Sequence, residues 1–203
     1  MRVFLLACGV VLGNASSIAQ TAPLDHLVIF PGKAVGSLAL GDTHAKALEL
    51  YPFKQDVDQE FDQEPDCGSE LNFVDLSSPK QVGNVFIRFR NNKVFQIDVA
   101  SNRYQTKAGI STNSSSQEIR KAYPHLRSYI LSNITSEAFH NLPTIYWIDE
   151  DEGIAFAFLG APRVRKHLPY EIIVFQPKAQ VCAPDTPLKS SQRRELPPYS
   201  LVP

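Results

Sequence analysis

The sequence predicts an α+β fold built from tandem helix-plus-antiparallel-sheet units, with the helices packed on one face of the sheet. Three observations predict it. Short runs rich in β-branched and aromatic residues are separated by turn residues. Two short amphipathic segments each begin at a polar cap and end at Tyr-Pro. Those two segments recur at an offset of 72, which places Leu38 on Ile110, Thr43 on Ser115, Ala47 on Ile119 and Tyr51-Pro52 on Tyr123-Pro124.

Residues 1–19 read as a targeting segment. Arg2 supplies the charge, Val3 to Leu12 the apolar stretch, and Ser17-Ile18-Ala19 a small-x-small cleavage site. The apolar stretch is too short to span a bilayer, and no later one reaches about 18 residues, so no transmembrane segment is expected. Cys8 follows Leu5-Leu6-Ala7 as in a lipoprotein signal. It comes too early to leave a hydrophobic region before it, which argues against a lipid anchor there. The expected location is periplasmic or extracellular.

The first unit, residues 20–104, enters through Leu38-Ala39-Leu40-Gly41. Asp42 or Thr43 caps a helix whose buried face is Ala47, Leu50 and Tyr51. Leu71 to Val74, Val85 to Phe89 and Val94 to Val99 are candidate strands, and Asn91-Asn92 turns the last two into a hairpin. The second unit, residues 105–182, enters through Gly109-Ile110. Ser115 and Glu118 have the spacing of a capping box, and Ile119, Ala122 and Tyr123 make one apolar face. Pro124 stops the helix because it lacks an N–H. Strands follow at Thr144 to Ile148, Ile154 to Leu159 and Glu171 to Phe175. The two units could share one sheet. Both helices are short, so packing on the sheet must hold them. The second sheet face is then either solvated or used for binding. Residues 183–203 form a tail with five prolines, expected to be extended and mobile or laid on the surface.

Composition bounds the function. With 43% hydrophobic residues the chain can bury a core, so global disorder is excluded. The 20 Lys plus Arg nearly cancel 21 Asp plus Glu, so nothing in the net charge points to nucleic acid. Removing the leader leaves Cys67 and Cys182, and in an exported chain a disulfide between them is expected over two separately buried thiols.

No motif for catalysis or cofactor binding stands out. Numbered from Asp56 as an EF-hand loop, the acidic run has Phe61 at the sixth position and Cys67 at the twelfth, where glycine and a bidentate glutamate are needed. A solvated acidic loop that attracts a basic partner fits better. None of the five histidines has zinc spacing, no Gly-x-Ser-x-Gly occurs, and no glycine-rich phosphate loop appears. No metal site and no cofactor is expected. Candidate binding residues remain. Phe61, beside Asp62 and other charged neighbours, is a poor core residue and a candidate contact. Tyr146-Trp147 could anchor an interface, or Trp147 could be core. Arg163 and Arg165 lie in a basic segment with Lys166 and His167 that could accept an acidic surface.

The paired units resemble the tandem repeat of the secreted β-lactamase inhibitor proteins, and also the small helix-plus-sheet domain of outer-membrane assembly lipoproteins. The resemblance rests on Leu38-x-Leu40-Gly41-Asp42 and Gly109-Ile110, each followed by a short helix, and covers roughly residues 35 to 176. It implies a non-catalytic protein that presents a concave sheet to a protein partner. The inhibitor proteins place a disulfide within each repeat, and this chain departs from that pattern, so no inhibitory loop or contact residue is carried over. The leading expectation is a non-enzymatic exported protein that binds another protein or assists an envelope assembly. The alternatives are a periplasmic or secreted hydrolase and a small-ligand carrier.

Overall fold

The computed structural model describes residues 27–50, 69–75, 83–131, 143–160, 167–183, 186–187 and 193–201. The fold is mixed α+β, with two helices among the described residues, α1 (His44–Leu50) and α2 (Ser116–Ala122). Its main body is an eight-stranded antiparallel sheet. The strands are β4 (Ser69–Asp75), β5 (Gly83–Arg90), β6 (Lys93–Ala100), β8 (Arg127–Leu131), β9 (Thr144–Asp149), β10 (Ile154–Leu159), β11 (Glu171–Phe175) and β14 (Arg193–Glu195), in the spatial order β14-β8-β9-β10-β11-β6-β5-β4. A four-stranded sheet holds β1 (Val28–Phe30), β2 (Ala34–Val35), β3 (Leu38–Ala39) and β7 (Gln105–Thr106), with β7 parallel to β1. The remaining described strands, β12 (Cys182–Ala183) and β13 (Thr186–Pro187), pair with each other.

Antiparallel ladders dominate because neighbouring strands are joined by tight turns. Asn91 and Asn92 both take positive φ, 52° and 58°, the geometry a two-residue hairpin needs and that asparagine tolerates. Strands β6 and β11 meet as Ile172↔Val99 through Phe175↔Gln96. Within the eight-stranded sheet this ladder joins β4, β5 and β6 to β8, β9, β10, β11 and β14.

Period-two alternation sends residues to two cores. One face carries Val85, Ile87, Ile97, Val99, Trp147, Phe156 and Ile172, packed with Ala47 of α1 and Ile119 of α2. Each helix has one buried residue, and these are Ala47 and Ile119. Burying Ile119 contributes about 1.5–3 kcal/mol, which a seven-residue helix needs, since so short a helix is not stable alone. The other face carries Tyr129, Tyr146, Ile148, Ala155, Ala157, Ile173 and Phe175, closed over by Val181 with Tyr170 and Ala179 against it. The chain after β11 turns back over the centre of this face, so of the two expectations, solvated or used for binding, the solvated one does not hold there.

The helix entries share local geometry. The Asp42 side chain accepts from Ala39 N–H at 2.9 Å, and the Ser114 hydroxyl accepts from Ser111 N–H at 3.0 Å. Backbone bonds close the same turns, Asp42 N to Ala39 O at 3.2 Å and Ser114 N to Ser111 O at 3.0 Å. Thr43 Oγ1 then accepts from Lys46 N–H, as Ser115 Oγ accepts from Glu118 N–H. The Glu118 carboxylate returns to Ser115 N–H at 2.7 Å and completes the capping box.

Two glycines lie where nothing larger fits. Gly153, at φ +70°, ends the β9–β10 turn. A Cβ there would fall on Phe175 O and 2.7 Å from Gly32 Cα. Gly32 N–H in turn donates to Gly153 O at 3.1 Å, which ties the β1–β2 turn to this hairpin.

The C-terminal segment is part of the fold. Strand β14 pairs with β8 as the eighth strand of the sheet, and Leu196 and Leu201 are buried in the helix-side core. The tail expected from its prolines is, over residues 193–201, a strand followed by a strap. No helix among the described residues is long and apolar enough to cross a membrane.

Candidate functional site: the buried polar floor and the strap groove

Two clusters of polar side chains stand out, one on each face. On the second face, cross-strand pairing brings Arg88, Gln96, Asp98 and Glu171 together, all 4% exposed or less. Arg88 Nε donates to Asp98 Oδ2 at 3.1 Å. Gln96 Nε2 donates to Asp98 Oδ1 at 2.8 Å and to Cys182 O at 2.6 Å, while Gln96 Oε1 accepts from Cys182 N–H at 2.8 Å. The Gln96 amide thus pairs with the Cys182 backbone as a neighbouring strand would. Burial raises the Asp98 pKa, against the opposing pull of the Arg88 charge and the Gln96 bond.

Beside this cluster Tyr146 and Tyr170 are hydrogen-bonded to each other, and Tyr170 also to Thr144. Burial, with the Glu171 charge nearby, holds both phenols above their usual range. At neutral pH they stay protonated and act as hydrogen-bonding groups. The floor between them is small, made of Ala155 and Ala157. Among the described residues no three His, Cys, Asp or Glu side chains are placed to hold a metal ion.

The second cluster lies on the helix face, where the strap crosses β8, β9 and α2. The Trp147 indole N–H donates to Ser200 O at 2.9 Å. Arg120 donates from Nη2 to Tyr199 O at 2.7 Å, with its guanidinium 4.8 Å from the Tyr199 ring and 5.2 Å from the Trp147 ring. Tyr199 meets Trp147 edge-on at 5.5 Å, and its hydroxyl donates to Pro124 O. On the sheet edge Arg127 grips Glu195 with bonds of 3.1, 2.9 and 2.8 Å.

The residues expected from sequence fall unevenly. Phe61, Asp62, Arg163 and Arg165 lie outside the described residues. Tyr146 and Trp147 are 1% and 0% exposed and belong to opposite faces. Of the two expectations for Trp147 the core position is the one seen, and Tyr146, expected as an interface anchor, is instead buried on the other face, because consecutive strand residues alternate. Of the expected Cys67–Cys182 disulfide, the described residues hold one end only. No two cysteines are joined among the described residues, where Cys182 stands alone of the three. Cys182 itself is disulfide-bonded and does not titrate as a thiol, and the chain's other cysteines, Cys8 and Cys67, lie outside the described residues.

Sequence reasoning missed Arg88, Gln96 and Asp98, and also Arg120, Arg127, Glu195 and Tyr199. The first three alternate with apolar residues, which reads as a solvated strand face. A signal for the last group was present, because Leu196, Tyr199 and Leu201 are apolar handles in a tail otherwise polar or proline-rich.

No protein-family model, curated protein or solved structure matched this chain.

Proposed function

We propose that the chain is a non-enzymatic exported protein that binds another protein, built from two tandem helix-plus-sheet units. The observation that carries the reading is what becomes of the converging polar and charged groups. Arg88, Gln96 and Asp98 bond to one another and to the Cys182 backbone in a closed interior, as structural networks do. An active site would aim such groups into a cleft. The repeated turn and cap at Ala39–Thr43 and Ser111–Ser115 supports the tandem reading, and so does the meeting of the two strand sets at β6 and β11. The leader sequence supports export.

The test is crosslinking in the intact envelope, identification of the crosslinked protein, and reconstitution of the pair from pure components. Saturable, stoichiometric binding is the expected result. Pure components that fail to bind, together with turnover in a hydrolase substrate screen, would replace this reading with the enzyme.

A further inference from the structure

We propose that the channel between β8, Trp147 and α2 is a peptide-recognition groove that the protein's own residues 193–201 fill in cis. Its in-trans ligand is an extended segment of a partner protein carrying an acidic residue followed by a leucine. The inference deepens the protein-binding reading and rests on it.

The groove grips backbone. Strand β14 meets β8 in the register Arg193↔Leu131, Arg194↔Ile130 and Glu195↔Tyr129, and Leu196 N–H continues the ladder to Ser128 O at 2.9 Å. Beyond the strand, Trp147 and Arg120 each reach a main-chain carbonyl, those of Ser200 and Tyr199. None of these contacts depends on the side chain of the strap residue it holds, so another extended segment could make them. This is strand addition at a sheet edge extended by two side-chain clamps.

Selectivity comes from four side chains of the occupant, one of them Tyr199, whose ring meets Trp147 and Arg120 and whose hydroxyl donates to Pro124 O. Leu196 and Leu201 are 8% and 9% exposed and fill apolar sites in the core, while Glu195 takes the Arg127 fork. The Pro197-Pro198 step between them has restricted backbone freedom, which lowers the entropy lost when such a segment docks. The strap is also the least integrated part of the sheet. Strand β14 is three residues long and paired on one side, whereas β9 and β10 are six residues long, almost wholly buried and paired on both sides. A short edge strand of this kind is the natural one to exchange.

The test uses the folded full chain with a protease site written over Lys189–Gln192, cut after folding. A fluorescent peptide of residues 193–203 is then added, and anisotropy is read alongside emission from Trp147, the chain's single tryptophan. The expected result is saturable uptake of the labelled peptide, competed by unlabelled peptide, with unchanged circular dichroism. A Glu195→Arg peptide should bind roughly fivefold more weakly, and an Arg127→Glu protein should recover it. Three outcomes overturn the proposal: a cut strap that never exchanges at millimolar peptide, a strap whose release unfolds the sheet, and mass doubling without peptide uptake, which means strand exchange between two copies. Peptide exchange is read without any partner, so failure here leaves the crosslinking result standing, and the reverse also holds.

Discussion

Removing the Asp98 carboxylate should unbalance the second sheet face more than removing its partner Arg88. Asp98→Asn leaves a guanidinium that is 3% exposed without its anion, and arginine cannot shed its proton to escape. Breaking a buried pair from one side typically costs about 3–5 kcal/mol. We expect the lower end, because Arg88 has a further interaction and asparagine still fits beside Gln96. Arg88→Met leaves a carboxyl that can take up a proton, so its cost is smaller and depends on pH. Burial already raises the Asp98 pKa above 3.8, and losing the cation raises it further. A raised carboxyl favours the native state fully below its unfolded pKa, and that benefit is lost as pH rises through the folded value. The gap between Arg88→Met and the parent protein should therefore widen from about pH 4 to about pH 7, while Asp98→Asn contributes no such titration. The double variant Arg88→Met, Asp98→Leu should return to within roughly 2 kcal/mol of the parent. Urea unfolding at both pH values measures all of this, with the m-value checking that one transition is compared. An Asp98→Asn midpoint within about 1 kcal/mol of the parent, or an Arg88→Met gap that ignores pH, would refute the account.

Other expectations follow from the same contacts. Gln96→Ala removes the side-chain bonds to the buried Cys182 N–H and C=O and should cost about 2–4 kcal/mol in the same urea assay. Ile119→Ala empties the one buried position of α2 and should cost about 2–5 kcal/mol, with loss of hydrogen-exchange protection across α2. Ser115→Ala should cost about 1 kcal/mol. It should also remove a pH effect: hydrogen bonds from the Ser115 backbone and hydroxyl lower the Glu118 pKa below 4.5, so the cap's contribution is present above that value and fades as pH falls through the folded pKa, visible in thermal melts. Gly153→Ala sets a methyl against Phe175 O at positive φ, and soluble yield should fall sharply while Gly41→Ala, whose Cβ meets nothing within 4 Å, retains more of it.

Much of the architecture can be read from local chemistry. Asn91-Asn92 marks its hairpin, Ser115 with Glu118 marks the helix start, and the offset of 72 pairs Ala47 with Ile119, the buried residue of each helix. What local pattern cannot convey is what covers a sheet. Arg88, Gln96 and Asp98 occupy the polar positions of alternating strands, which suit water or an interior network equally well. Only the return of Val181 and Cys182 over the sheet decides for the interior. Strand β8 escapes notice because Arg127 and Ser128 dilute its apolar residues, and β14 because prolines follow it closely. The Tyr146-Trp147 pair shows the limit from the other side. Alternation alone separates the two rings but does not say which of them is covered; that depends on the helices on one face and the returning chain on the other.

The parallel pairing of β1 with β7 has a consequence for how the chain reaches its native state. Val28 waits for Gln105, Gly32 for Gly153, and β8 for the last strand of the chain. Contacts this distant in sequence impose large loop-closure losses before any of them rewards the chain, so folding should be slow. A nascent chain lacking its C-terminus cannot seal the β8 edge, so that edge stays unpaired until the last residues have been synthesised.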